Sequence, residues 1–320
     1  MKKATKIWLI VAASLVLAGC IIFIGVMSAL KWDFTKLSTG KYETNIYEIN
    51  ETFNNISITA DTSNITFALS NDGKCKVECY EEKDTTHSVS VENNALVIKS
   101  KEHKAWYEYI GFNFISPKIT VYLPKTEYNS LSINESTGNI EISNVFSFEN
   151  ADISLTTGNT KFSASASQTI KIKSTTGNIR VENTSADSLD LSVTTGNITV
   201  SGVNCKNTIT VNVSTGNSNL TDISCKNVIS SGSTGNINLN NVIAVNKISI
   251  KRSTGNVKFN SSDSNEISVK TSTGNVNGSL LTGKKFTTET STGNINVPDS
   301  TSGGTCEIKT STGNIKITTD

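Results

Sequence analysis

The sequence is poor in several of the residues on which protein chemistry usually rests. Among 320 residues there are two histidines, His87 and His103, and two arginines, Arg180 and Arg252. So few imidazoles leave little for proton transfer or histidine-based metal binding, and the spacing of the cysteines matches no zinc motif. Lys and Arg number 29 against 28 Asp and Glu, a balance without the basic excess of a nucleic-acid binder. Proline occurs three times. That scarcity, with near-zero net charge and many β-branched residues, excludes a disordered chain. No catalytic residue, metal, cofactor or nucleic-acid partner is expected.

What the chain has instead is 42 Ser, 42 Thr and 37 Asn, with Ile and Val distributed throughout. Polar residues in such numbers, interleaved with β-branched ones, belong on the outer face of β structure. At the N-terminus, Lys2, Lys3 and Lys6 precede a run from Ile7 to Leu30 without a charged residue. At about 1.5 Å per residue this run reaches roughly 36 Å, enough to cross a hydrocarbon core. Trp8 and Trp32 stand near its ends, where amphipathic rings favour the headgroup level, and the lysines keep the short end in the cytoplasm. The division expected is a cytoplasmic tail over 1–6, a transmembrane anchor over 7–30 and a stalk over 31–50, with the rest outside a bacterial cell membrane. Leu17-Ala18-Gly19-Cys20 also resembles a lipobox, in which Cys20 would carry lipid, although Ile21-Ile22-Phe23-Ile24 continues apolar. Cleaved secretion is a third reading. All three put residues 33–320 outside the cytoplasm.

The tetrapeptide Ser/Thr-Thr-Gly-Asn occurs ten times. Its glycines are Gly138, Gly158, Gly177, Gly196, Gly216, Gly235, Gly255, Gly274, Gly293 and Gly313. The asparagines that follow are Asn139, Asn159, Asn178, Asn197, Asn217, Asn236, Asn256, Asn275, Asn294 and Asn314. The interval is always 19 or 20 residues, the mark of stacked units rather than of one globular core. Seven and five residues before the glycine, and two and four after it, the positions are mostly apolar; Ile133, Ile172, Ile198 and Val200 are examples. Alternation at period two marks half-buried strands. The inward parity is odd before the glycine and even after it, so the motif is a corner. Glycine supplies a positive φ there and Asn tolerates one. Asn side chains aligned at about 4.8 Å per coil form a hydrogen-bonded ladder. The expectation is an all-β parallel β-solenoid of 19–20 residues per coil, right-handed by analogy with β-helices, with ten regular coils over 131–320. The turn carries Thr and Asn where calcium-binding solenoids need Asp, which argues against calcium.

Residues 51–130 read as degenerate coils and capping strands; Ile56 to Ile65 looks like a decayed repeat in which Ser63 stands for glycine. Only Thr318-Thr319-Asp320 follows the last coil, so that coil is expected to form the C-terminal edge. The stretch Ile119-Thr-Val-Tyr-Leu-Pro124, followed by Leu131-Ser-Ile-Asn-Glu-Ser-Thr-Gly-Asn-Ile140, resembles the bacterial putative-adhesin β-strand-repeat family, a domain of unknown function in surface proteins. The resemblance covers about residues 50–317. It implies a right-handed β-helix-like solenoid behind one transmembrane helix and, for some members, an accessory role in cell-envelope stress. It brings no catalytic residues.

Three features are candidates for contact. Lys173, Lys251, Lys270 and Lys309 lie four residues before their glycines and form a basic stripe, suited to anionic wall polymers or else simply solvated. Trp106, Tyr107, Tyr109, Phe112 and Phe114 make the densest aromatic patch beyond the anchor, a sugar- or membrane-touching loop or a cap. Cys205 and Cys225 both stand nine residues after a glycine, so in adjacent coils they can bridge or remain buried thiols. Asp152, Lys171 and Asp190 form an alternating charge ladder, better suited to cross-strand pairing than to polysaccharide cleavage. The function expected is that of a non-catalytic surface rod, an adhesin or envelope binder, with an envelope-stress accessory as the alternative and a polysaccharide-acting enzyme as the weakest. Its partners would be the membrane through 7–30 and cell-wall polymers, host matrix or another envelope protein.

Overall fold

The computed structural model describes residues 3–37, 41–101 and 116–319. Helix α1 (Lys3–Ala29) is long and apolar enough to cross a membrane, and its side chains, such as Ile10 and Leu15, are exposed. Among the described residues, everything after it that has regular structure is strand, apart from a 3-10 turn at Phe34–Leu37, and these strands form one continuous sheet. From Glu127 onward every pairing is parallel, coil on coil, with single register shifts taking up the unequal coil lengths; Leu131, Ala151, Ile170, Leu189 and Ile209 stack in one row. This is the parallel solenoid that the period implies. The rows expected to point inward are buried in nearly every coil, and they make a single core running the length of the stack.

The motif glycines carry the corner. Their φ values lie between 127° and 157°, a region open to glycine and closed to ordinary side chains. The motif asparagines, by contrast, do not have positive φ; each serves through its side chain. Asn159 N donates to Asn139 Oδ1 at 3.0 Å, Asn178 N to Asn159 Oδ1 at 3.0 Å, and so on along the stack. Asn64 begins the ladder by accepting from Asn139 N at 2.9 Å, so the decayed repeat around Ser63 is a true coil.

Both ends of the stack depart from chain order. At the C-terminal end, strand Gly304–Thr312 pairs on one side with Val257–Thr273 and on the other with Lys284–Thr292. The last coil of the chain is therefore inserted beneath the one that precedes it, and the Asn ladder runs Asn275, Asn314, Asn294. This corrects the expectation that the chain's end guards the edge: the outer edge is the Gly293 coil. Its inward positions are the least covered of any repeat, with Ile295 exposed and Thr288 and Thr290 half-buried. Lys284 anchors this coil through an ion pair to Asp263 at 2.6 Å.

The N-terminal end is built likewise. Strand β1 is Tyr42–Ile49, β2 Asn55–Thr62, β3 Asn64–Leu69, β4 Cys75–Glu82, β5 His87–Glu92, β6 Ala95–Ser100 and β7 Lys118–Leu123. Strands β2 and β3 form the coil that stacks beneath Gly138, while β6 and β7 stack on its other side. Antiparallel strands then close the edge, β5 on β6, β4 on β7 and β1 on β4. Residues 42–49, expected as part of a stalk, are thus the outermost cap strand, because alternating Tyr47 and Ile49 pack against the core.

Two outcomes test this architecture. A Cβ at Gly196 would lie 1.8 Å from Gly177 O, at φ 143°, so Gly196→Ala should cost at least about 2 kcal/mol, read as a lowered denaturation midpoint of the full chain. In the interleaved order Lys270 is registered with Lys309, not with Glu289. The pair Lys270→Cys and Lys309→Cys should therefore form a disulfide readily on mild oxidation, and the pair Lys270→Cys and Glu289→Cys should not.

Candidate functional site

The basic stripe resolves into one group and one outlier. Lys251, Lys270 and Lys309 occupy directly adjacent coils in register, and it is the insertion of the last coil that puts Lys309 beside Lys270. Their rise per coil is about 4.8 Å. Lys309 is held by Glu307 at 3.2 Å and Glu289 at 3.6 Å, and these carboxylates keep its ammonium charged to higher pH than usual. Among the described residues, no carboxylate pairs with Lys251 or Lys270. Across the corner, three residues after their glycines, Lys258 and Lys316 flank the same coils with Asn277 between them. Lys173 lies between Ser154 and Ser192, four coils from Lys251, and does not join the group. Lys161 and Arg180 are adjacent but are neutralised by Glu141 and Glu182.

The charge ladder is a pairing device. Lys171 stands in register between Asp152 and Asp190 and bonds Asp152 at 2.7 Å. Cys205 and Cys225 are buried free thiols in neighbouring coils, donating to backbone carbonyls at Asp187 O, 3.2 Å, and Asn227 O, 3.4 Å. Cys20 is an exposed free thiol within the continuous helix α1. The aromatic patch from Trp106 to Phe114 lies outside the described residues.

The inward row three residues before each glycine, which follows from the parity rule, holds two charged groups that pattern reading passed over. Arg252 is buried, donating to Val213 O at 3.2 Å and to the hydroxyls of Ser218 at 2.8 Å and Ser230 at 3.2 Å. Ser218 and Ser230 stand where most other coils carry Ile or Val, and Gly232 leaves the space, since a Cβ there would meet the guanidinium at 1.8 Å. Those three exceptions were the available signal. Burial lowers the pKa of Arg252. Glu135 is the other: its Oε1 accepts from Ser63 N at 3.0 Å, and its Oε2 has no partner. Burial pushes its carboxyl up to about 8, against the lowering effect of the Ser63 and Thr137 amides.

A third buried cluster sits in the N-terminal cap. Cys79, Glu81 and His87 each offer one ligand atom, all within 4.8 Å of one another. Cys79 and Glu81 alternate onto one face of β4, and His87 opens β5. The Cys-x-Glu spacing and the rarity of histidine were the only traces of this cluster in the sequence.

The raised pKa of Glu135 makes it a proton-linked group. Folded, it holds a proton between about pH 4.5 and about pH 8 that the unfolded chain has released. Its contribution to stability is therefore fully present below that window and is lost as pH rises through it. The wild-type chain should lose on the order of 2–4 kcal/mol over this range relative to Glu135→Gln, measured as the pH dependence of the difference in denaturation midpoint.

Three solved structures resemble the chain. A putative adhesin from Bacteroides fragilis is 20% identical, with a TM-score of 0.47, 87% of this chain covered and 97% of that one. A putative adhesin from Parabacteroides merdae is 13% identical, with a TM-score of 0.53 and coverages of 75% and 97%. A putative lipid binding protein from Parabacteroides distasonis is 18% identical, with a TM-score of 0.44 and coverages of 75% and 98%. At these identities the likeness concerns the fold alone, and the Parabacteroides merdae structure is the one of the three that supports it. No curated protein matches. The family model described as Toastrack DUF4097 matches residues 53–209 and 204–320, nearly all of the chain beyond the helix and its connection, and the chain belongs to that family.

Proposed function

We propose that this protein is a non-catalytic rod, held at the outer face of the cell membrane by α1, that binds anionic polymers of the envelope along its C-terminal coils. The observation that carries this reading is the in-register stack of Lys251, Lys270 and Lys309, flanked by Lys258 and Lys316. Like charges one coil apart repel by roughly 0.9 kcal/mol per pair even in water. Several lysines elsewhere on this surface, Lys161, Lys171 and Lys247 among them, are paired with carboxylates; Lys251 and Lys270 are not. An anionic chain lying along the solenoid axis meets the unpaired charges of Lys251 and Lys270 one coil apart and turns their repulsion into attraction. A phosphodiester polymer, with regularly repeated charge, has the matching form. The Parabacteroides merdae neighbour, named a putative adhesin, is in keeping with a surface role. The uncleaved reading of α1 is preferred because Ile21-Ile22-Phe23-Ile24 continue the apolar run past Cys20, at the length a membrane crossing needs.

Binding of the full chain in lipid nanodiscs to immobilised poly(glycerol phosphate) tests this. Affinity should fall steeply with added salt, and Lys251→Glu with Lys270→Glu should weaken it at least tenfold, whereas Lys173→Glu should change it little. Saturable binding that the double variant leaves intact would overturn the reading.

A further inference from the structure

The cluster in the N-terminal cap has the features of a coordination site. Glu81 is fully engaged: its Oε1 accepts from Asn45 Nδ2 at 2.7 Å, and its Oε2 accepts from the backbone N of His87 at 2.7 Å and from His87 Nδ1 at 2.5 Å. Tyr47 Oη holds the His87 carbonyl at 3.0 Å. With Nδ1 directed at the carboxylate, Nε2 is the ring nitrogen left free for another partner. That nitrogen is buried, on a side chain only 4% exposed, and has no hydrogen-bond partner. A buried imidazole nitrogen left unpaired is costly, and Cys79, itself fully buried, belongs to the same cluster.

We propose that Cys79, Glu81 and His87 bind one thiophilic d10 metal ion, Zn2+ or Cu+, in this cap. His87 Nε2 and Cys79 Sγ are the donors, and Glu81 is the positioning residue that fixes the ring and its tautomer, the carboxylate–histidine–metal arrangement. Nitrogen and sulfur on a tetrahedral ion stand about 3.5 Å apart, and one candidate ligand atom from each of the three residues already lies within 4.8 Å of the others. Burial pushes the Cys79 thiol up to about 12, so the free thiol keeps its proton, and coordination replaces that proton with the ion and releases it to solvent. A soft thiolate paired with one imidazole selects zinc or copper(I) over the hard cations. The ion would tie β4 to the start of β5, and Asn45 on β1 holds Glu81 from the other side. The site is independent of the lysine stack and stands or falls separately from it.

The test uses the full chain in detergent, stripped with a chelator and kept reduced. Zn2+ should bind at one ion per chain by elemental analysis, and Co2+ should give a thiolate-to-cobalt charge-transfer band. Cys79→Ser and His87→Gln should each weaken uptake at least tenfold and abolish the band, while Cys75→Ser and Cys205→Ser should keep both. Circular dichroism and the lysine-dependent polymer binding report that the variants are folded. Stronger retention of Cu+ than of Zn2+ in competition with a copper(I) chelator supports the site and identifies the ion as copper. Absence of stoichiometric uptake of either ion, or uptake that survives both Cys79→Ser and His87→Gln, would overturn the proposal.

Discussion

Each coil of this solenoid approaches its neighbour most closely at the Thr-Gly-Asn corner, where the backbone of one glycine lies against the carbonyl of the next. A Cβ on Gly158 would fall 1.8 Å from Gly138 O, and the same holds, within a few tenths of an ångström, along the whole row. No side chain fits that gap. Where it closes, three bonds form at every step: Gly N to the neighbouring Thr carbonyl, as in Gly158 to Thr176, the residue after Asn to the neighbouring Asn carbonyl, and Asn N to Asn Oδ1. Each is worth about 0.5–1.5 kcal/mol net, and together they set the coil spacing along the stack. The register of every inward row follows from that spacing.

With one corner fixed so firmly, the interior tolerates polar intrusions that a globular core would resist. The row three residues before the glycine holds Glu135, Ser174, Arg252, Thr271 and Thr310 as well as Leu155, Val193 and Val213. Arg252 is accommodated because three neighbouring positions give way at once, to Ser218, Ser230 and Gly232. Such local exchanges leave the backbone path unchanged, since the corner ladder and not the core side chains decides where each strand runs.

The two ends solve a problem common to all solenoids, that an open stack leaves an unpaired strand edge. At the N-terminal end, antiparallel strands β1, β4 and β5 cover it and build a buried polar cluster in doing so. At the C-terminal end the chain steps outward to form the Gly293 coil, then returns to insert the Gly313 coil beneath it. The outer coil carries Thr at inward positions and is pinned by the Lys284–Asp263 ion pair. This same step brings Lys309 against Lys270 and completes the stacked lysines, so the capping device and the charged face arise from one topological choice.

The sequence by itself determined the period, the corner, the inward rows and the asparagine ladder, because a solenoid's contacts repeat at the spacing of its motif and each row is readable one coil at a time. Ser63 and Asn64 were legible as a decayed corner for the same reason. The tertiary structure alone decided which coil lies beside which. Coils with equivalent patterns match any neighbour in register, so nothing periodic could reveal that Gly313 stacks on Gly274, or that Lys309 adjoins Lys270 while Lys173 stands apart. Nor could it reveal that β1, read as a stalk, caps the edge. Cys79, Glu81 and His87 meet because antiparallel cap strands, which follow no repeat, fold two turns of chain against each other, and proximity of that kind is a property of packing rather than of pattern.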